Sequence, residues 1–332
     1  MSAGGRIAAS RLGSLPRWQR GIALLVAILL VALGTIIAAA IAYENAMTAR
    51  RGAASYAFDE SLLIAQGAEA LAAYGLREVA RDDPKTTHPN QAWAKPLGPL
   101  EVVPGVMLEA SLEDLAGRFN LNSLVKEDGT VDQDALAAFV RLLQMLDLEP
   151  KWAGYLIDWI DPDIQPQVPD GAEDSLYMGQ DPPYLTPNTY ITSTTELLAL
   201  PGFGRDRYLK LAPYVTALPP DVTLNVCSAS GFVLDAYIPG QRSFSLDPEG
   251  LAKNRVSANG CFPKKEAEYK QAFDSPAAYA KVQGKLAETS SYFRLTSHVT
   301  IGSTEFNLYS LLYREGTGTG TVRPLLRSYA PD

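Results

Sequence analysis

The first pattern in the chain is an apolar run near its N-terminus. Residues 22–42 carry no ionisable side chain, and Thr35 is the one clearly polar residue among them. An α-helix needs about 20 residues of this kind to cross the hydrocarbon core of a bilayer. The run therefore predicts a membrane-spanning helix.

The helical pattern continues beyond this run. Apolar and charged residues interleave at helical spacing to about Arg81, and Pro84 and Pro89 are incompatible with a longer helix. Counted from Ile22, the helix would hold about 60 residues and extend about 90 Å at 1.5 Å per residue. Its second half is amphipathic, so it requires a surface to pack against.

Strand patterns lie on both sides of a helical stretch in the rest of the chain. Residues 97–116 predict two short strands around a Pro104-Gly105 turn. Residues 118–217 instead show helical periodicity interrupted by long polar loops. Alternation typical of antiparallel strands returns after Pro219, in residues 221–228, 231–238, 290–302 and 305–315, with residues 322–329 as a candidate edge strand.

These patterns together predict an α+β fold, in which a long N-terminal helix packs on an antiparallel sheet that a large all-α insertion domain interrupts. Insertions at surface loops cost little free energy, so such an interruption is physically reasonable. The predicted segments are a leading segment (1–21), the transmembrane half of the helix (22–42), the rest of the helix with the first strands (43–117), the insertion (118–217) and the remaining antiparallel sheet (218–332).

Positive charge is concentrated before the apolar run. Residues 1–21 contain four arginines and no acidic residue, and segments of this composition stay in the cytoplasm. The bias predicts a single-pass protein with a cytoplasmic N-terminus and an exported C-terminal body. Two simpler interpretations are a cleaved secretory signal peptide, which usually has a shorter apolar region and a small-residue cleavage site, and an ordinary membrane anchor.

The exported body is acidic. Removal of residues 1–21 would change the formal net charge from -8 to -12, because four positive charges and no negative ones are lost. An acidic body repels phosphate backbones, which argues against nucleic-acid binding. No Walker or hydrolase motif is present, and neither His88 nor His298 belongs to a Cys/His metal pattern. The sequence therefore predicts no catalysis.

Both cysteines, Cys227 and Cys261, lie in the exported part. An oxidising compartment permits a disulfide between them, and closing a loop of about 35 residues would stabilise the fold by roughly 3 to 4 kcal/mol in the chain-entropy model. Two separate thiols are the alternative, since spacing alone does not define geometry.

An acidic segment in the predicted insertion is the main candidate for a binding site. Between residues 158 and 181 there are seven acidic residues and no lysine or arginine. Carboxylates gathered without cations favour Ca²⁺, although the spacing does not fit an EF-hand loop. We expect two close pairs to converge on one ion across a Pro/Gly-containing loop, Asp161 with Asp163 and Glu173 with Asp174. A solvated acidic loop without metal is the alternative.

The start of the apolar run resembles a known processing site. Arg20-Gly21 followed at once by an apolar helix is similar to the site at which a membrane peptidase cleaves type IV prepilins and type II secretion pseudopilins and methylates the new N-terminus. The resemblance implies that residues 1–21 are a leader, that cleavage follows Gly21, and that Ile22 becomes the methylated residue. It also implies a bacterial inner membrane and a periplasmic body.

Within this group the chain resembles the general secretion pathway protein K family. Most pilins carry glutamate at the fifth mature position, where this chain has Val26. The large size, the helical insertion and further motifs agree with the family: LAGRFNLNSL (115–124), LIDWIDPD (156–163), GAEDSLY (171–177) and STTELLALPGFG (193–204). The resemblance extends from Gly21 to about Arg327, and it implies calcium in the insertion.

This resemblance implies a pilin-like fold and a minor pseudopilin that caps and initiates the tip of the pseudopilus during protein export across the outer membrane. The implied partners are the prepilin peptidase, minor pseudopilins I and J, the major pseudopilin, and also the secretin or secreted cargo. Two other classes of function were considered. A periplasmic DNA-uptake protein would use the Leu-Pro-Gly-Phe-Gly hairpin at 200–204 as part of a helix-hairpin-helix module, and a membrane-anchored enzyme would need a polar catalytic cluster.

Overall fold

The structure is a computed structural model that describes residues 17–240, 242–257, 260–262, 266–316 and 320–330. The side chains of residues 17–21, 257 and 266–268 are not part of this description. Most of the predicted leader, residues 1–16, therefore lies outside the described residues. Gly21 falls within a helix, and its surroundings are likewise not described.

Helix α1 extends from Arg17 to Asp82. It ends two residues before Pro84, close to the predicted end at about Arg81. Proline lacks the backbone N–H that a continuing helix requires. Residues 22–46 are all exposed. In the part of the chain that the structure describes, this is the one helix long and apolar enough to cross a membrane. The membrane-length helix expected from the sequence is therefore present.

Contacts divide the chain into two compact units, residues 1–60 and residues 61–332. The first unit contains the apolar part of α1. The second contains the end of α1, a five-stranded sheet and a helical region. The features described below all belong to this second unit.

The five-stranded sheet is antiparallel and has the strand order β1-β2-β7-β8-β9. Its first two strands come directly after α1, and its last three come from the C-terminal part of the chain. The long chain segment between β2 and β7 forms the helical region, as the sequence predicted. The strands are β1 (Leu97–Val103), β2 (Val106–Asp114), β7 (Tyr292–Ile301), β8 (Thr304–Arg314) and β9 (Val322–Ser328), and the two-residue strands are β3 (Phe119–Asn120), β4 (Val215–Thr216), β5 (Leu224–Asn225) and β6 (Leu286–Ala287).

The amphipathic end of α1 packs on this sheet. Ala65 and Ala68 lie in an apolar cluster with residues of β2, β7 and β8. About two turns further on, Leu76 is fully buried against Trp93 and Phe293, whose rings meet edge to face at 5.3 Å. The small alanines let the helix approach the strands closely, and the apolar stripe excludes water from the interface.

An ion pair between a buried carboxylate and a partly exposed arginine also joins α1 to strand β9 of the sheet. Glu69 is 5% exposed and accepts hydrogen bonds from Arg327 of β9 at 2.7 to 3.1 Å and from Ser310 of β8. The bonds from Arg327 are bidentate, which is the strongest geometry for a guanidinium and a carboxylate. One residue of the helix is therefore bonded to two strands that follow it by more than 240 positions in the chain.

The helical region differs from its prediction in extent. It begins as expected after β2, but it continues beyond residue 217, because residues 231–236 form a helix rather than a strand and further helices follow. The predicted antiparallel sheet over 218–332 is therefore wrong for residues up to 285. The helices after α1 are α2 (Gln133–Met145), α3 (Lys151–Ile160), α4 (Asp174–Tyr177), α5 (Gly204–Leu211), α6 (Gly231–Ala236), α7 (Pro248–Ser257), α8 (Glu266–Gln271) and α9 (Pro276–Val282).

Two local interactions explain why residues 231–238 are not a strand. Ser230 caps α6, since its hydroxyl accepts a hydrogen bond from the backbone N–H of Val233. Asp235 is 1% exposed and accepts backbone hydrogen bonds from residues 243–245, which fold over the helix. The apolar residues of this segment join one core with those of α2 and α3. The predicted insertion is also not purely helical, because β3 and β4 pair in parallel at its two ends.

The disulfide joins two residues within this extended helical region. Cys227 is paired with Cys261, and both residues are buried. The bond encloses a loop of 34 residues that contains α6 and α7. Closing such a loop stabilises the fold mainly by restricting the unfolded chain.

A buried polar network joins the sheet to the helical region. Asp114, at the end of β2, accepts hydrogen bonds from Asn225 at 2.9 Å and from Ser290 at 2.6 Å. Arg314, at the end of β8, donates to Thr87 at 2.9 Å and to the carbonyl of Ser290 at 2.6 Å. Burial raises the pKa of Asp114, and the hydrogen bonds that it accepts oppose this shift. The network thus gives both buried charged groups hydrogen-bond partners, although Arg314 Nε has none among the described residues.

The pairing of Glu69 gives a stability prediction. We expect Glu69→Ala to lower the free energy of unfolding by about 1 to 3 kcal/mol, because it leaves the buried Ser310 hydroxyl without its partner, whereas Arg327 is 44% exposed and can bond water. Glu78→Ala is the matched control, since its ion pair with Arg81 is exposed, and it should cost less than about 0.5 kcal/mol. Urea unfolding of the detergent-solubilised protein measures both. Equal losses of unfolding free energy in the two variants would show that the pair of Glu69 with Arg327 stabilises the fold no more than an exposed ion pair does.

Candidate metal centre

The acidic cluster is positioned by the end of helix α3. This helix packs on the core through Trp152, Leu156 and Ile160, and Asp161 is its C-cap. Asp158 lies in its last turn, three residues before Asp161. Residues three apart lie on the same face of a helix, so the two carboxylates point the same way.

The chain then loops out and returns to the same place. Glu173, just before α4, comes back beside the end of α3. Carboxylate oxygens of Asp158, Asp161 and Glu173 all lie within 4.8 Å of one another. The three residues are buried, with 0%, 1% and 5% of their surface exposed. In the described part of the chain this is the one such group of three potential metal ligands.

Asp158 holds the loop in place. One of its carboxylate oxygens accepts a hydrogen bond from the backbone N–H of Gln167 at 3.1 Å, and the other accepts one from Ala172 at 2.5 Å. The loop approaches so closely that a Cβ atom on residue 171 would lie 2.6 Å from Asp158 Oδ2. Glycine is therefore required at position 171 for the cluster to close.

Most of the remaining oxygens of the cluster lack partners. Asp161 Oδ1 and both carboxylate oxygens of Glu173 are buried and accept no hydrogen bond from the residues that the structure describes. Gln167 donates to Asp161 Oδ2 at 3.4 Å. Three unpaired carboxylate oxygens in one buried place are unfavourable unless a proton or a cation compensates them.

The pKa values of the three carboxyls also reflect the lack of positive charge in the cluster. Burial, followed by repulsion from Asp163, raises the pKa of Asp161 to about 7. Burial and repulsion from Asp158 raise the pKa of Glu173 to about 7, and burial raises the pKa of Asp158 to about 6. The cluster therefore holds protons near neutral pH unless another cation replaces them.

The structure brings together two of the four predicted ligands, Asp161 and Glu173. Asp163 is exposed and accepts a hydrogen bond from the backbone N–H of Gln165 at 2.7 Å. Asp174 accepts hydrogen bonds from the backbone and the hydroxyl of Thr186. Neither belongs to the group of close oxygens.

Asp158 is the member that the sequence-based choice of ligands left out. The prediction paired acidic residues that are neighbours in the loop, whereas the structure pairs positions 158 and 161 on one helical face. The spacing of three residues at the end of a predicted helix was the signal that could have identified it.

The donor set fits a hard cation. Carboxylate oxygens are the ligands that Ca²⁺ prefers, and the cluster offers them unpaired, buried and without a neighbouring lysine or arginine from residues 158–181. Asn188 supplies a further buried amide oxygen without a partner among the described residues, and its Nδ2 donates to the carbonyl of Asp163 at 3.3 Å. We find no sulfur or imidazole in the group, which argues against a zinc-type site.

The Leu-Pro-Gly-Phe-Gly hairpin has a structural part in the same region. Ser193 and Glu196 form the predicted capping box at the start of the 3-10 helix Thr194–Ala199. Glu196 also accepts a hydrogen bond from the indole of Trp159 at 3.2 Å. Gly202 and Gly204 adopt positive φ angles, and Gly202 lies against Trp152. These contacts hold the hairpin to α3.

Comparison with known proteins places the chain in a family. It is 33% identical to type II secretion system protein K of Pseudomonas aeruginosa over 320 residues, covering 91% of each chain. The chain belongs to the type II secretion system protein K family. The corresponding protein of Klebsiella pneumoniae is also 33% identical, over 92% of this chain and 95% of its own length.

Two further comparisons concern the family model and the fold. The model "Type II secretion system (T2SS), protein K" matches residues 117–220, which contain the acidic cluster. The fold matches a chain in the crystal structure of the GspK-GspI-GspJ complex from the enterotoxigenic Escherichia coli type 2 secretion system. That match has a TM-score of 0.70 at 24% identity and covers 85% of this chain and 100% of the other. Protein K is a secretion protein family and not a class of enzymes.

The raised pKa values give a prediction for the metal-free protein. The carboxyls hold protons in the folded state that the unfolded chain, with ordinary acidic pKa values, releases. Stability should therefore fall as pH rises from about 4 to about 7, by at least roughly 3 kcal/mol, which is the contribution of one carboxyl whose pKa is raised by about two units at 1.36 kcal/mol per unit. Urea unfolding in chelator at pH 4 and pH 7.5 measures this change.

Two variants connect the pH dependence to the cluster. Asp161→Asn should remove a large part of it, because the amide does not titrate. Asp163→Asn should keep most of it, because Asp163 is exposed and outside the group. Parallel pH dependences in the wild type and in Asp161→Asn would contradict this explanation.

Proposed function

We propose that the protein is the minor pseudopilin that caps and initiates the tip of the type II secretion pseudopilus, and so serves protein export across the outer membrane. The observation that carries the proposal is the similarity to protein K over 91% of the length of both chains. A match of that extent includes the apolar helix, the sheet and the helical region together. The fold of the GspK-GspI-GspJ neighbour adds support, because its TM-score of 0.70 extends over 85% of this chain.

The N-terminal helix anchors the protein in the inner membrane. Residues 22–46 are exposed and largely apolar, so they require lipid or the apolar helices of other subunits. The prepilin peptidase would cleave after Gly21 and methylate Ile22, which leaves the helix in the membrane. The arginines of residues 1–21 keep that end in the cytoplasm, and the acidic body lies in the periplasm.

The proposed partners are minor pseudopilins I and J, by analogy with the complex that the structural neighbour forms with GspI and GspJ. The major pseudopilin would lie below this tip, and the secretin or secreted cargo would meet it from above. Nucleic acid is not among the proposed partners. The acidic body repels phosphate, and the glycine hairpin at 200–204 has a structural role against α3.

Two features fit a terminal position in the filament. Val26 stands where most pilins carry a glutamate that pairs with the N-terminal amine of a neighbouring subunit. A first subunit has no neighbour above it, and an unpaired carboxylate in hydrocarbon would cost about 2.5 kcal/mol or more. The helical region inserted between β2 and β7 also enlarges the head, so that stacking a further subunit above it is obstructed.

The cluster of Asp158, Asp161 and Glu173 would hold a structural calcium ion. The unpaired oxygens of Asp161 and Glu173 are the observation that supports this assignment. The cation would neutralise carboxylates that otherwise retain protons near pH 7, and it would fix the loop between α3 and α4. We assign no catalytic role to the protein, since this chemistry is one of charge compensation.

The processing and partner assignments are tested on protein extracted from membranes. Intact mass spectrometry should show a chain that begins at methylated Ile22 and co-purifies with minor pseudopilins I and J. Gly21→Val should retain residues 1–21 and should be missing from assembled tips, because the bulkier residue blocks the peptidase. A wild-type protein that keeps Met1, or that occurs along the length of filaments, would contradict the proposal.

Calcium binding is tested separately by calorimetric titration of the detergent-solubilised protein. Asp158→Asn, Asp161→Asn and Glu173→Gln should each weaken binding at least about tenfold, which is about 1.4 kcal/mol. Asp163→Asn and Asp174→Asn are matched controls that remove one charge outside the group, and their effects should be smaller. Larger effects in the controls would favour the ligand set predicted from the sequence. No heat at millimolar calcium would refute the site.

A further inference from the structure

The loop that closes the acidic cluster carries two unusually exposed aliphatic residues. Val168 is 92% exposed, more than any other large apolar side chain in the described part of the chain, and Ile164 is 71% exposed. Leu185, which is 56% exposed, lies on the segment that returns to this loop. We call residues 162–170 together with Leu185 the loop surface.

The exposure of these side chains follows from a loop that is held in place. Gln167, adjacent to Val168, donates its backbone N–H to Asp158 at 3.1 Å. Asn188 donates to the carbonyl of Asp163, adjacent to Ile164, at 3.3 Å. Prolines at positions 162, 166 and 169 restrict the backbone further. The aliphatic side chains therefore remain in water in this arrangement, and binding a partner would remove them from it.

The segment tied to the loop carries the third aliphatic residue. Thr186 donates to Asp174 through both its backbone N–H and its hydroxyl, at 3.1 and 2.9 Å. Leu185 precedes it, and Asn188 follows it with the bond to Asp163. Hydrogen bonds from residues 186 and 188 thus hold the segment that carries Leu185 to Asp174 and to Asp163 of the loop.

Charge determines which partner this surface fits. Asp163, Asp170 and Asp181 are exposed, and no lysine or arginine occurs between residues 158 and 181. A calcium ion in the cluster would balance the buried carboxylates only in part and would leave these outer acids charged. A complementary surface therefore combines aliphatic side chains with lysine or arginine.

The same acids disfavour other occupants. Nucleic acid and anionic lipid would be repelled, and a second copy of this chain would bring like charges together. We propose that the loop surface docks a protein whose contact region places lysine or arginine around an aliphatic patch. This interaction rests on the proposed function and deepens it, because it states the surface chemistry of a partner that meets the tip from outside the filament.

Site-specific photocrosslinking in secreting cells tests the proposal with the full-length protein. Val168→p-benzoylphenylalanine should form an adduct with a protein, and mass spectrometry should map the crosslink to a peptide rich in lysine or arginine and aliphatic residues. The matched control is Leu209→p-benzoylphenylalanine. Leu209 is 53% exposed, but it lies between Arg205 and Lys210. The adduct yield at position 168 should exceed that at position 209 at least about tenfold.

A charge reversal tests the second half of the proposal. Asp170→Lys, combined with the probe at position 168, should lower the adduct yield severalfold, because it places a cation beside the aliphatic patch. Calcium binding and co-purification with the minor pseudopilins serve as integrity controls and should not change. Their loss in the wild type would instead refute the proposed function.

Three outcomes would overturn the docking proposal while those controls remain intact. They are an adduct with lipid or with another copy of this chain, a crosslinked peptide that is acidic, and a yield at position 168 no higher than at position 209. A yield that Asp170→Lys does not alter would refute the charge requirement.

Discussion

The rest of the protein depends on the two different environments that helix α1 requires along its length. Residues 22–46 of α1 have no protein surface to cover them, so they require lipid or neighbouring helices. The end of the same helix is covered by the sheet, where Leu76 is fully buried and Glu69 is paired with Arg327. A sheet completed by C-terminal strands is thus needed to stabilise an N-terminal helix.

The helical region presents a second constraint, which is electrostatic. Three carboxylates are buried together at the end of α3 without a basic residue beside them. Isolated buried charges are among the most unfavourable features a fold can contain. The shape of the loop therefore depends on what compensates the charge. Burial raises the pKa of Asp161 and of Glu173 to about 7, which favours protons in that role near neutral pH.

The parts of the fold that depend on strong, local signals could be predicted from the sequence. The apolar run identified the membrane-length part of α1, and Pro84 indicated its end, which lies at Asp82. The strands β2, β7 and β8 alternate clearly, since one of their faces packs on α1 and the other does not. Residues 231–236 were misassigned because Val233 and Asp235 owe their environment to Ser230 and to residues 243–245, contacts that no periodicity reveals.

The sequence predicted where the candidate site lies, but it identified only two of the three residues that form it. The density of acidic residues without cations was visible in the sequence. Which of them converge depends on the direction of the last turn of α3 and on the bonds that draw Asp174 towards Thr186. Asp163 faces outward and accepts a hydrogen bond from the backbone N–H of Gln165. The number of acidic residues in the segment gives no information about this local bond.

The buried network around Asp114 and Arg314 has a mechanical consequence. Asn225 of the helical region donates to Asp114, to Ser290 and to the carbonyl of Thr87, so a rotation between the sheet and the helical region would break several hydrogen bonds at once. The network therefore resists such a rotation. A force applied to the strands would reach the helical region through these bonds.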